Sequence, residues 1–141
     1  MALPAEAAMT ASEVQTFLDK VFEQAMHIRI EATGPGTARC RLPFDDRHLR
    51  PGGTVSGPSM FQLADCALYA MILGTLGPVA LAVTTNLNIN FLRKPQPRDL
   101  IGECRALKFG SRLVVGEVAL FTEGDPDMVA HATGTYSIPP R

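Results

Sequence analysis

PSMFQLADCALYAMILGTL, running from Pro58 to Leu76, is the stretch whose reading decides the fold. Apolar residues occupy every face a helix here would have, so no stripe is left for water. A helix that is apolar all round in a chain of 141 residues is a helix wrapped by other structure. Its limits are legible. Ser56-Gly57-Pro58 sets proline at the helix start behind a capping residue, and Gly74 or Gly77-Pro78 ends it. The run is nearly long enough to span a membrane, but Gln62, Asp65 and the glycine–proline terminus argue against that, as does the lack of a basic cluster on one flank. Between Arg50 and Arg93 the sequence holds one charged side chain, Asp65. A lone carboxylate among apolar neighbours is costly to ionise unless something pairs with it, and such groups are candidates for chemistry.

Working outward, Ser12 to Met26 reads as an amphipathic helix with Val14, Phe17, Leu18, Val21 and Phe22 at helical spacing and Ser12/Gln15 as a capping box. Then the period changes to two. Ile28, Ile30 and Ala32 alternate, Gly34-Pro-Gly36 turns the chain, and Ala38, Cys40 and Leu42 alternate again, which is a hairpin. A polar loop from Asp45 to Thr54 leads to the apolar helix. Beyond it lie strands at Ala80–Leu92, Leu100–Phe109, Leu113–Thr122 and Met128–Ile138. In the first, Val83, Thr85, Leu87, Ile89 and Phe91 face one way and Thr84, Asn86, Asn88 and Asn90 the other. Runs of antiparallel strands beside a segregated helix predict an α+β fold. One sheet covers only part of a helix's circumference, so the pattern predicts at least a homodimer.

Composition narrows the function classes. Hydrophobic residues make up 46% of the chain, enough for one real core, and the net charge of −1 gives no case for nucleic acid or an anionic membrane as partner. Cys40, Cys66 and Cys104 are odd in number and widely spaced, against a disulfide framework or a zinc site and in keeping with a reducing, cytoplasmic setting. No His/Cys/carboxylate cluster has metal-ligand spacing, so no metal or other cofactor is expected. Residues 1–10 lack a basic leader pattern and read as a flexible N-terminus ahead of a single domain spanning 11–141.

Gly53-Thr-Val-Ser-Gly57, Met60, Leu63-Ala-Asp65 and Thr84-Thr-Asn-Leu-Asn-Ile-Asn-Phe-Leu-Arg93 together resemble hot-dog fold acyl-CoA thioesterases of the phenylacetate-degradation (PaaI) type, over about residues 45 to 138. Their pattern runs Asn, two residues, Gly-Thr-Val-His-Gly-Gly, then Asp seven residues later. This chain has Arg50 for the Asn, Ser56 for the His and Pro58 for the last Gly. The resemblance implies an antiparallel sheet wrapped around one long central helix, assembly as homodimers paired into homotetramers, and hydrolysis of an acyl-CoA thioester. It assigns Gly57 N–H to polarise the carbonyl, Asp65 to act as nucleophile or general base, and Thr84, from the neighbouring subunit, to orient water. Free N–H groups and the positive helix end suit developing negative charge. Coenzyme A enters only as part of the substrate. Ser56 can donate a hydrogen bond but cannot shuttle protons near neutrality, and His48 in the same loop is a candidate to swing in. Arg50, Gln62, Arg93, Lys94 and Arg112 are candidates to bind the substrate.

Each of these residues has a plainer reading. Asp65, with Gln62 and Tyr69 on its helix face and Thr84 in reach, could merely fix how helix meets sheet. Ser56 could be an N-cap hydroxyl, Cys66 a small core hydrophobe, and the basic residues ordinary strand-end solvation. Two rival functions follow: a non-enzymatic acyl-CoA or aromatic-ligand binding protein, and a hot-dog hydratase, which needs a histidine that neither His27 nor His131 stands in a motif to supply.

Overall fold

A computed structural model describes residues 3–22 and 27–140. In chain order the elements are α1 (Ala11–Val21), β1 (Arg29–Gly34), β2 (Thr37–Leu42), a 3-10 turn at Asp46–His48, α2 (Gly57–Leu76), β3 (Val83–Phe91), β4 (Leu100–Phe109), β5 (Leu113–Thr122) and β6 (Met128–Ser137). The strands form one antiparallel sheet in the order β1-β2-β4-β5-β6-β3, curled around α2. This is the hot-dog α+β architecture expected from the sequence.

The central helix starts and stops where its signals stand. Ser56 caps it, its Oγ accepting from the Ser59 amide, and Gly77 closes it at a φ of 99°. Long enough and apolar enough to cross a membrane, α2 is instead the buried core of the sheet. Leu63, Leu68, Met71, Ile72 and Leu73 are at most 1% exposed. Each such side chain contributes about 1.5–3 kcal/mol through removal from water. The sheet approaches α2 closely because glycines lie beneath it. A Cβ on Gly116 would fall 2.8 Å from Leu68, and one on Gly134 would fall 2.5 Å from it.

The first helix is capped two residues earlier than read. Thr10 Oγ1 accepts from the Glu13 amide and Glu13 reaches back to Thr10 N, a reciprocal box that Ser12 and Gln15 do not form. The helix ends at Val21, and residues 23–26 of the expected span lie outside the described residues. Ahead of it the Ala8 and Met9 amides both donate to the Gly74 carbonyl, tying the end of the expected flexible lead-in to the core helix.

One departure from the sequence pattern positions the site. Strict alternation would turn Thr84 outward with Asn86, Asn88 and Asn90. In the β3–β6 ladder, however, Asn86 pairs with Thr135 while Thr84 pairs with Tyr136, so Thr85 is an extra residue. Side chains directly opposite in an antiparallel pair share a face. Tyr136, Gly134, Ala132 and Ala130 face the core, so the bulge rotates Thr84 onto the helix side with Leu87, Ile89 and Phe91. Bulges recur beside active sites for this reason: they re-aim one side chain.

Candidate active site: a clamped carboxylate and a bare helix start

Asp65 sits in the third turn of α2, half-buried, on the wall of a cleft of about 320 Å³. Val21, Phe22, Tyr69, Ala80, Ala82, Val83, Thr84 and Tyr136 line the rest of the cleft. Two hydroxyls converge on one carboxylate oxygen. Thr84 Oγ1 donates to Asp65 Oδ1 at 2.7 Å, and the Tyr136 phenol donates to the same oxygen at 2.7 Å while lying 3.1 Å from the Asp65 main-chain carbonyl oxygen. Among the described residues Asp65 Oδ2 accepts no hydrogen bond, and it is not sealed from solvent. The lone carboxylate of the sequence is therefore paired on one side and open on the other. Burial first, then the Asp65 charge, pushes the Tyr136 phenol far above its ordinary value, so it remains a donor. Burial likewise raises the neighbouring Cys66 thiol to about 12, which disqualifies it as a nucleophile near neutrality.

A second hollow, of about 570 Å³, opens at the start of α2. Gly57, Met60, Phe91 and Leu92 form its apolar side, and Arg50, Arg93 and Lys94 its basic rim. The loop feeding it turns at Gly52 and Gly53, whose φ values of 100° and 80° favour glycine. Gly57 N–H has no acceptor among the described residues, as the first amides of a helix do not unless a cap supplies one. Arg93 is tied to Asp127 at 3.4 Å.

Several predicted site residues are placed elsewhere. Ser56 turns away from the hollow, its Oγ 2.9 Å from Ser59 Oγ, and Ser59 Oγ is 3.2 Å from His48 Nδ1. His48 does not swing into the hollow. It is buried, stacked on His27 at 4.9 Å, and burial followed by the charge on His27 lowers its pKa. Gln62 lies 3.3 Å from His27 Nε2. Arg112 donates to the Ile138 carbonyl, at the opposite end of β3 from Arg93 and Lys94. Thr84 meets Asp65 of its own chain, where the resemblance expected it to serve a neighbour.

Comparison with known proteins follows the same lines. The profile of the thioesterase superfamily matches residues 52–129, the segment that carries α2 with Gly57 and Asp65 and the strands β3 to β5. The chain belongs to the thioesterase superfamily. A protein of Silicibacter sp. provisionally named a thioesterase has a crystal structure that superposes with a TM-score of 0.89 at 49% identity, covering 96% of each chain. The phenylacetic acid degradation protein PaaI of Thermus thermophilus shares the fold, with a TM-score of 0.72 at 24% identity over 84% of this chain and 98% of that one. The 1,4-dihydroxy-2-naphthoyl-CoA hydrolase of Escherichia coli is 30% identical over 99 residues, 70% of this chain and 72% of its own length. Membership places this chain in a superfamily of enzymes that hydrolyse thioesters.

Sequence reading missed Tyr136. The chain has two tyrosines, and both, Tyr69 and Tyr136, line the Asp65 cleft. The available signal was a lone tyrosine at an inward position of the last strand. Knowing that it opposes Thr84 required the register of two strands far apart in sequence.

Proposed function

We propose that this protein hydrolyses an acyl-CoA thioester at a site completed by two copies of the chain. The observation that carries the reading is Asp65, with Oδ1 held by two hydroxyls and Oδ2 open to a cleft, in a chain of the thioesterase superfamily. Oδ2 either takes a proton from water as the water oxygen attacks the thioester carbon, or attacks that carbon itself and is then released by water. In both routes the C–S bond breaks, the acid and the thiol leave, and one water is consumed.

The carbonyl donor comes from the second copy. Gly57 and Asp65 are eight residues apart on one helix, roughly 12 Å along its axis, too far to meet one carbonyl group. β3 is the last strand of the sheet, its outer rim unpaired among the described residues. Val83, Phe91 and Leu92, together with Leu81 just before the strand, are each more than half exposed along it. Pairing β3 antiparallel with its copy about Leu87 sets Thr84 opposite Asn90 of the partner subunit, and Val83 opposite Phe91 of the partner subunit. Phe91 is the ring that packs against Gly57, 3.3 Å from where a Cβ there would be. The pairing thus carries each helix start to the other copy's carboxylate, and edge pairing also disposes of an aggregation-prone rim. Arg50, Arg93 and Lys94 around the helix start then face the coenzyme A phosphates, which planar guanidinium groups suit. The Escherichia coli relative's name supports a CoA thioester as the substrate class.

The test is a panel of acyl-CoA esters assayed for free thiol. Asp65→Asn, folded by circular dichroism, loses about 10²- to 10⁴-fold in turnover. An Asn variant as active as the parent removes the mechanism. The orientation of Ser56 away from the hollow favours a second reading, an acyl-CoA binding protein. Saturable binding of the panel without thiol release by the parent chain selects it.

A further inference from the structure

We propose that Tyr136 is a positioning residue for the reaction: with Thr84 it clamps Asp65 Oδ1, so that Oδ2 is the one oxygen presented to water or thioester. The inference rests on the hydrolytic reading above and names a device inside it.

Four observations carry it. The first is register: Thr84 and Tyr136 are cross-strand partners, and the extra residue Thr85 turns Thr84 inward beside Tyr136. Two hydroxyls from different strands therefore reach one atom at equal distances of 2.7 Å. The second is rigidity. Tyr136 is 4% exposed, and its ring stacks on Tyr69 at 6.0 Å with 17° between planes. The Tyr69 phenol is anchored in turn on the Ala80 carbonyl at 2.9 Å, and Phe22 meets the Tyr69 ring edge-on at 6.2 Å. The third is that burial first, then the Asp65 charge, keeps the phenol protonated, so Tyr136 remains a donor. The fourth is asymmetry, since among the described residues the other oxygen takes no bond and is not sealed.

An aspartate has two side-chain torsions, and in an unclamped cleft its carboxylate would sample several orientations. Holding one oxygen removes that freedom before substrate arrives, and misplacement of a reacting atom by about 1 Å costs on the order of a hundredfold in rate. Two donors on Oδ1 also draw negative charge to the bound side, leaving Oδ2 as the accessible lone-pair site. A merely structural tie between helix and sheet would serve equally well with both oxygens bound.

Tyr136→Phe keeps the ring and its stacking and deletes the donor. The expected result is a fall in kcat of about ten- to a hundredfold with KM changed by less than about twofold. Thr84→Val gives a second fall of kcat, Thr84→Ser restores it, and Tyr136→Phe with Thr84→Val together lose less than the product of the single losses, because both act on one oxygen. Unchanged kcat in Tyr136→Phe, or a rise in KM alone, overturns the proposal. Should Tyr136→Phe be unfolded at the assay temperature, the Thr84 pair decides: a Val variant with parental kcat overturns the clamp. Asp65→Asn, run alongside, separates the two levels. A parent chain that binds the acyl-CoA panel without releasing thiol sinks the hydrolytic reading, an Asn variant as active as the parent sinks Asp65 as its reacting group, and an inactive Asn variant beside a fully active Tyr136→Phe sinks only the clamp.

Discussion

Two variants, each dead alone, should restore each other when combined in one dimer. Gly57→Pro is the first. Gly57 opens α2 with a negative φ, Ser56 before it has φ −72° and ψ 152°, and proline is at home in the first helical position behind such a residue. The substitution deletes one N–H, and its ring must be accommodated by Pro58, which it now precedes, and by Phe91, which already lies 3.3 Å from a Cβ at that site. Losing one donor to a developing oxyanion costs about 10²–10³ in kcat. Asp65→Asn is the second and removes the carboxylate. In the site proposed above the two groups, roughly 12 Å apart along one helix, are shared between copies, the donor from one chain and the carboxylate from the other. A heterodimer of the two variants then has one site with both defects and one with neither. Co-expressed with two different tags and purified through both, it should show about half the parental turnover per dimer, against a hundredth or less for either homodimer. The assay is thiol release with a chromogenic reagent, and size-exclusion chromatography verifies the dimer. A doubly purified heterodimer no more active than its parents would show that donor and carboxylate are not shared between copies.

Other expectations concern the scaffold. Leu68→Ala should cost about 2–5 kcal/mol in urea unfolding, since Leu68 is 1% exposed against the sheet. Gly134→Ala should cost about 1–3 kcal/mol because its new methyl group runs into Leu68 and Leu87, and less than that in the Leu68→Ala background, where the nearer of the two clashes is gone. Burial first, then His27, holds the folded-state pKa of His48 below its ordinary 6.5. The unfolded chain therefore binds more protons here as pH drops below 6.5, so stability is complete above that value and declines beneath it. In His48→Gln that part of the decline should be missing from unfolding midpoints taken between about pH 5 and 7.5. An unaltered slope would place the titration on another group.

The element order and most boundaries were legible because they depend on local chemistry. The helix from Gly57 to Leu76 announced itself by lacking a polar face, and by a proline and a glycine at its ends. β4 and β5 ran over the residues that alternation gave. The capping of α1 was misread because two overlapping patterns, Thr10/Glu13 and Ser12/Gln15, compete, and only the actual geometry chooses. At the site, Asp65 stood out as the sole charge of a long apolar stretch. The turning of Ser56 toward Ser59 and His48 was hidden, since a hydroxyl beside a helix start can point either way.

By itself the sequence determined that one apolar helix must be wrapped by an antiparallel sheet, and that it carries a single carboxylate. Periodicity and charge are properties of the chain before it folds, so they can be read directly. What surrounds that carboxylate was decided only by tertiary structure. The unpaired residue Thr85 reverses the facing of Thr84, and a register between strands some fifty residues apart sets Tyr136 beside it. A ladder's register is fixed by packing of the whole sheet against the helix, where one residue of slip exchanges the two faces.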